Sequence, residues 1–350
     1  MLDVYAGKSA LQKINQQGFK QQLFTSFLGA SGGPKWFCLF GLDKYLFGDF
    51  FKGRTSELNL IGSSAGAFRS ACFAQHDPVA AITRMAESYS ETVYSAKATP
   101  AEVTHKAIEL LDYMLGENGA NEIINNDIFR AHFLVNKVNG TLIHEKSWLQ
   151  LLGLAKSYIL NRIDRRLLGS QYQRYVYRNS KSQVNIIDPC AFTTHYADLT
   201  SENLSSALLA SGSIPLVMQG IKDIPGSPQG TYRDGGILDY HFDIGIGNGE
   251  GLTLYPHFDP TPKAGWFDKK LNRKVSASHY DNIVLLVPSD DFVKSLPYQK
   301  IPDRKDFTTM APETRIRYWK SVLSQTEILA ESFDTMLSTN AIERIKVFSP

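Results

Sequence analysis

Cysteine is scarce in this chain. Cys38, Cys72 and Cys190 are spread over 350 positions with no Cys-x-x-Cys pair, so neither a disulfide framework nor a thiolate zinc site is expected. Free thiols suit a reducing compartment. Long hydrophobic runs are missing too. No segment approaches the ~20 apolar residues that cross a bilayer, and the N-terminal MLDVYAGKSALQKINQQG holds no apolar run long enough for a signal peptide. Neither charge sign dominates: 37 Lys and Arg against 35 Asp and Glu leave a formal net charge of +2. Nucleic-acid-binding domains carry strongly clustered basic charge instead. These absences point to a soluble, cytoplasmic protein that binds no nucleic acid and makes at most peripheral contact with a membrane surface.

What the chain does have is a core. With 43% hydrophobic and 21% charged residues, it matches an ordinary globular protein. No repeat, low-complexity tract or Pro/Ser-rich linker divides it, so residues 1–350 are expected to form one domain. The chemistry-bearing motifs lie within 23–240, and strands and a helix in 241–350 complete it.

Two strand–turn–helix units occupy the first third. Leu23 to Leu28 is a short apolar run that ends in Gly29-Ala30-Ser31-Gly32-Gly33. Pro34 then suits the first turn of a helix carrying Phe37, Phe40 and Leu46. Leu58-Asn59-Leu60-Ile61 is a buried-type strand, followed at once by Gly62-Ser63-Ser64-Ala65-Gly66 and a second helix through Ala67–Cys72. That order predicts a parallel α/β sheet. The stretch from Pro78 to Gly169 reads as mostly helical, notably Pro100–Leu115 and Trp148–Leu168. Strands return at Arg174–Tyr177, Gly230–Arg233, Leu252–Tyr255 and Ile283–Val287, and a last long helix is expected over Glu313–Leu337. Gly220–Gly230 and Phe258–Asn272 read as loops.

Gly62-x-Ser64-x-Gly66 has the form of a nucleophile elbow. A serine on a sharp strand-to-helix turn has its hydroxyl thrust out of the sheet, and flanking glycines remove side chains that would collide there. The helix that follows aims its N-terminal amides at the same point. A plain glycine turn is the bland alternative, but the strand before and the helix after are what an elbow requires. A serine nucleophile also needs donors for an oxyanion, each worth ~3–4 kcal/mol. Gly32-Gly33-Pro34-Lys35 supplies unobstructed backbone N–H groups between a strand and a helix, with Lys35 adding positive charge. A nucleotide-binding loop fits poorly. Pro34 separates Gly33 from Lys35, Trp36 follows where a Walker loop has Ser or Thr, and Gly245–Glu250 ends on glutamate rather than glycine.

The base is open on residue pattern alone. His241, His257 and His279 lie downstream of the serine, as a Ser…Asp…His order requires, and none has a motif. Asp234-Gly235-Gly236 is more distinctive: a carboxylate ends the strand-like Thr231-Tyr232-Arg233, and two glycines let the backbone approach closely. Asp239, His241 and Asp243 are too crowded for a known metal-ligand pattern, so no metal is expected. Arg162, Arg165, Arg166, Arg174 and Arg178, interleaved with Tyr172, Tyr175 and Tyr177, form either a solvated face or a stripe that meets anionic headgroups.

Taken together, these blocks resemble the patatin-like phospholipase family. Gly32-Gly33-Pro34-Lys35 is similar to its oxyanion loop, Gly62–Gly66 to its elbow, Ala210-Ser211-Gly212-Ser213-Ile214-Pro215 to its Ala-Ser…Pro block, and Asp234-Gly235-Gly236 to its terminal Asp-Gly-Gly. The resemblance implies a three-layer α/β/α sandwich with a mainly parallel central sheet. It implies an esterase or lipid acyl hydrolase of phospholipase A type acting on a lipid or acyl ester through an acyl-enzyme, with Ser64 and Asp234 as a catalytic dyad and no cofactor. Gly32, Gly33, Lys35 and Ala65 would form the oxyanion hole, supported by Gly62, Gly66, Gly235 and Gly236. There are departures: Ala30-Ser31 replaces the family's aspartate, Pro34 has no N–H, and Trp36 stands where glycine is common. Trp36 would then line the acyl pocket or the core. The competing readings are a histidine-based α/β-hydrolase, an acyl-carrier-protein acyltransferase, whose serine typically follows a histidine rather than Ser63, and an inactive scaffold that binds lipid or a partner.

Overall fold

The computed structural model describes residues 1–247 and 251–350, so half of the Gly245–Glu250 run lies outside the described residues. In chain order the strands are β1 (Leu2–Ala6), β2 (Phe24–Gly29), β3 (Leu58–Ser63), β4 (Phe129–Val138), β5 (Tyr172–Arg178), β6 (Asn185–Ile187), β7 (Thr194–Asp198), β8 (Ile221–Lys222), β9 (Thr231–Asp234), β10 (Gly245–Gly247), β11 (Leu252–Pro256), β12 (Ile283–Pro288) and β13 (Lys346–Val347). The main sheet runs β13-β1-β12-β11-β2-β3-β4-β5-β7, with β9 beside β4 and β8 beside β9; β6 and β10 pair separately. From β12 to β4 the pairing is parallel, and antiparallel β1, β5 and β9 frame it. Helices flank this sheet in an α/β/α sandwich. The near-continuous apolar runs of β3 and β12 follow from that arrangement, because a strand covered on both faces has no solvent side to keep polar.

Three elements depart from the sequence reading. The expected helical stretch Pro78–Gly169 is interrupted by β4, a central strand. Its Phe-Leu-Val run lies between the turn residues Asn125-Asn126-Asp127 and Asn139-Gly140, a strand signature that its polar His132 and Asn136 obscure. The single helix expected over Glu313–Leu337 is two, Pro312–Gln325 and Glu327–Ser338. They break at Thr326, whose hydroxyl accepts the Gly41 N–H at 2.8 Å and donates to the Leu323 carbonyl at 2.6 Å. The N-terminal segment, read only for its lack of a leader, forms β1.

The apolar core is large and runs through the whole sheet. A smaller cluster of Val138, Leu142, Leu154, Leu168, Tyr172, Phe192, Ile237, Leu238 and Phe267 lies beneath the helix Ser147–Ile163. Among the described residues, no helix is long and apolar enough to cross a membrane.

Candidate active site

β3 ends at Ser63, and the helix Ala65–Phe73 begins two residues later. Ser64, between them, takes φ 52° and ψ −127°, a conformation that costs a non-glycine residue about 1–3 kcal/mol. Its neighbours hold it there. A Cβ on Gly62 would lie 2.2 Å from the Gly66 carbonyl oxygen, and one on Gly66 1.8 Å from that of Gly29, so only glycine lets the three backbones meet. Gly29 is a member of this contact that the motif does not reveal. The Ser64 N–H donates to Ser211 Oγ at 2.9 Å, and Ser211 Oγ donates to the Leu134 carbonyl at 2.7 Å. Arg69 locks the helix from behind through a buried fork onto Asp43, at 2.8 and 2.6 Å.

β4 is the ruler that brings the second half of the site into place. β3 runs parallel to it and ends with Ser63 opposite Leu134. β9 runs antiparallel and ends with Asp234 opposite Val135, the next residue. The two strand ends therefore meet, and Ser64 Oγ donates to Asp234 Oδ2, 170 residues away in sequence, at 3.0 Å. The carboxylate is aimed by its surroundings. Its Oδ1 accepts the Gly236 N–H at 2.7 Å, its own N–H donates to the Ser213 carbonyl at 3.1 Å, and Asn136 Nδ2 holds the carbonyls of Asp234 and Gly235 at 2.8 and 3.1 Å. Gly235 and Gly236 open a short helical turn. Burial pushes the Asp234 pKa up from the usual 3.8 to about 6, against the lowering effects of the Gly236 N–H, Arg304 and Ser64. The carboxylate is thus a stronger base than an ordinary aspartate.

Gly32 precedes the helical stretch Gly33–Leu39, as Ser64 precedes the elbow helix. First-turn N–H groups have no intrahelical acceptor, so those of Gly32, Gly33 and Ala65 can serve an oxyanion. Gly33 has φ +56°, and a Cβ there would approach Arg304 Nη2 to 3.2 Å. Ser31, just before these glycines, ties this loop to the elbow through a 2.6 Å bond with Ser63 Oγ. Lys35 turns elsewhere: its ammonium lies 3.8 Å from Asp303 and over the Phe258 ring. Trp36 is buried against Phe37 and Phe40 and lines neither cavity at the serine, which leaves it the core role.

Two cavities meet at Ser64. One of about 30 Å³ is lined by Ser31, Gly32, Asp234, Tyr240, Lys269 and Arg304, among others. The other, about 390 Å³, begins at Ser64 and Ala65 and runs between Phe68, Met85, Val103, Leu110, Leu216 and Phe307. Arg304 borders both. Lys269 is exposed along part of its length, yet its ammonium sits 3.8 Å from the Tyr240 ring centre. Burial of that end, with Arg304 and Lys35 nearby, lowers its pKa to about 7. Neither cation carries a sequence signal, since each lies in a stretch without a motif.

Among the described residues, no histidine lines either cavity. His241 and His257 are buried against each other with ring centres 4.3 Å apart, and burial lowers both pKa values, that of His257 to about 4. His279 pairs with Asp243 at 2.7 Å. Asp239 faces Arg174 at 2.6 and 2.8 Å and, through its carbonyl, accepts Ser63 Oγ. The arginine stripe is mostly internal: Arg174 is buried with Asp239 and Asp188, Arg165 with Asp268, and Arg178 bonds the Val184 carbonyl. Only Arg162 and Arg166 are exposed.

No curated protein matches the chain. The model of the patatin-like phospholipase family matches residues 59–241, a span that starts within β3, takes in the whole of β4 and ends beyond the Asp234 turn. The Gly32-Gly33 loop lies before it, and Lys269 and Arg304 lie after it. With over half of its length matched, and the α/β/α sandwich around that half, the chain belongs to the patatin-like phospholipase family, whose members are lipid acyl hydrolases.

Proposed function

We propose that this protein is a serine hydrolase of phospholipase A type in which Ser64 is the nucleophile and Asp234 the base. The observation that carries the reading is the 3.0 Å contact from Ser64 Oγ to Asp234 Oδ2 at the head of the 390 Å³ apolar cavity, a volume within the range of small-molecule sites. The acyl chain lies in that cavity with its ester carbonyl over Ser64. Asp234 takes the hydroxyl proton as Ser64 Oγ attacks the carbonyl carbon, and the N–H groups of Gly32, Gly33 and Ala65 stabilise the oxyanion. The tetrahedral species collapses, the C–O bond to the alcohol breaks, and Asp234 returns the proton to the departing oxygen. Water then attacks the acyl-enzyme with Asp234 again as base.

Lys269 borders the small cavity and Arg304 stands where the two cavities meet, which suits an alcohol portion bearing an anionic group. Both come from the last hundred residues, and this supports a single domain over 1–350. A cytoplasmic setting fits the free thiols. Against a histidine triad, no histidine among the described residues lines either cavity at Ser64.

The test is release of p-nitrophenol from short and long acyl esters by wild type, Ser64→Ala and Asp234→Asn. Loss in both variants with folding intact supports the dyad. Retained activity in Asp234→Asn alone overturns Asp234 as the base, and an inert wild type returns the scaffold reading.

A further inference from the structure

The helix Ser147–Ile163 is amphipathic in reverse. Its buried side carries Gln150, Gly153, Ser157 and Asn161 with Leu154, while its solvent side carries Trp148, Leu151, Leu152, Ile159 and Ile163, between 55% and 71% exposed. The positions 148, 152, 159 and 163 lie on one face at helical spacing. A monomer gains nothing by turning polar residues inward and large apolar ones to water, and such a stripe marks an interaction surface.

The inward polar groups tie this helix to the active site. Gln150 Oε1 accepts the Leu216 N–H at 2.7 Å, fixing the Ile214–Leu216 turn that borders the cavities at Ser64. Asn161 Nδ2 donates to Asp268 Oδ1 at 2.8 Å, next to Lys269 in the turn that closes the small cavity. Ser157 Oγ bonds the Tyr172 hydroxyl at 2.7 Å. The exposed stripe therefore sits on the element that holds both walls of the cavity mouth.

The surface is basic at its margins: Lys146, Lys156 and Arg162 are exposed beside the stripe. The nearby acidic groups are engaged, Glu145 with Arg233 and Asp164 with Arg166. Apolar side chains flanked by cations match the surface of an anionic bilayer, where apolar groups enter the headgroup–acyl boundary and Lys and Arg meet phosphates. We infer that the outer face of Ser147–Ile163 is a docking surface for anionic lipid bilayers that brings the mouth of the active site to the membrane. This rests on the hydrolase reading for its purpose, but not for its test.

The test is co-sedimentation with vesicles of phosphatidylcholine alone or mixed with phosphatidylserine, alongside turnover of a soluble short-chain ester and of an ester embedded in the vesicles. Wild type is expected to sediment with the mixed vesicles, less with neutral ones, and to be released by salt. Ile159→Glu/Ile163→Glu should stay in the supernatant and lose about tenfold or more on the embedded ester, with soluble-ester turnover unchanged. Lys156→Gln/Arg162→Gln should weaken binding to mixed vesicles only. Wild type that fails to sediment, or a Glu variant that sediments equally, overturns the proposal. So does a wild-type dimer that the Glu variant splits without any vesicle binding, since the stripe is then a seam between two copies. Sedimentation without turnover of either ester removes the hydrolase reading and leaves the docking surface standing.

Discussion

The two cavities that meet at Ser64 are built from different materials. The small one lies where strand ends and loops converge, so backbone N–H groups, a buried carboxylate and two cations crowd into about 30 Å³. The large one, about 390 Å³, lies where the elbow helix and the helices Pro78–Glu91 and Pro100–Leu115 leave their apolar faces incompletely packed. The ends of helices and strands concentrate polarity because their backbone groups lack partners, whereas helix flanks offer only side chains. A molecule with one apolar and one anionic end would find each where it needs it.

The largest expected effect breaks the junction itself. Asp234→Asn should lower kcat by about 10³–10⁴-fold, yet raise stability. The folded-state pKa of about 6 lies above the ordinary 3.8, so the folded protein holds that proton more tightly. The resulting stabilisation is complete below about pH 4 and is lost as pH rises through about 6. At pH 8 the ionised, buried carboxylate opposes folding, and the amide variant should gain about 1–3 kcal/mol in urea unfolding. A variant that loses both activity and stability would mean the carboxylate is held mainly for structure.

Filling the apolar cavity sharpens the contrast. Ala107→Trp, on its wall, should cost about 100-fold in kcat/KM for long acyl esters and leave short ones nearly untouched. Equal losses for all chain lengths would place the acyl chain elsewhere. Neutralising the other cavity with Lys269→Met should raise KM for anionic esters about 10–50-fold while neutral esters change little. The smallest effect is in pH. For a neutral ester, kcat/KM should rise through about pH 6 as Asp234 ionises and then level off. For an anionic ester it should fall again above about pH 7 as Lys269 loses its charge. Identical profiles for the two esters would remove Lys269 from substrate binding.

The site was legible in the sequence where its parts are local. Gly62-x-Ser64-x-Gly66 announces a turn because the steric demand falls on neighbouring residues. Asp234-Gly235-Gly236 announces a carboxylate whose own turn amide returns to it. Ser211 was visible only through its block, and its task of holding the Ser64 N–H needs the packing of the helix Leu204–Gly212 against β4. Asn136 and β4 were missed, although β4 sets the whole junction. A doubly buried strand has no alternation to reveal it, and its polar residues, which interrupt the apolar run, make sense only once the strands they bond are known. The basic blocks misled in the opposite sense: Arg165 and Arg174 went inward to pair with carboxylates, while Lys269 and Arg304, singled out by no pattern, reached the site.

The sequence by itself determined the sharp turns, the strand before the elbow and the glycines that let backbones touch, since these follow from sterics among adjacent residues. The tertiary structure alone decided which carboxyl group faces Ser64, how far burial raises its pKa and which cations border the cavity. Those properties depend on register and desolvation between segments more than a hundred residues apart, and no window along the chain contains both partners.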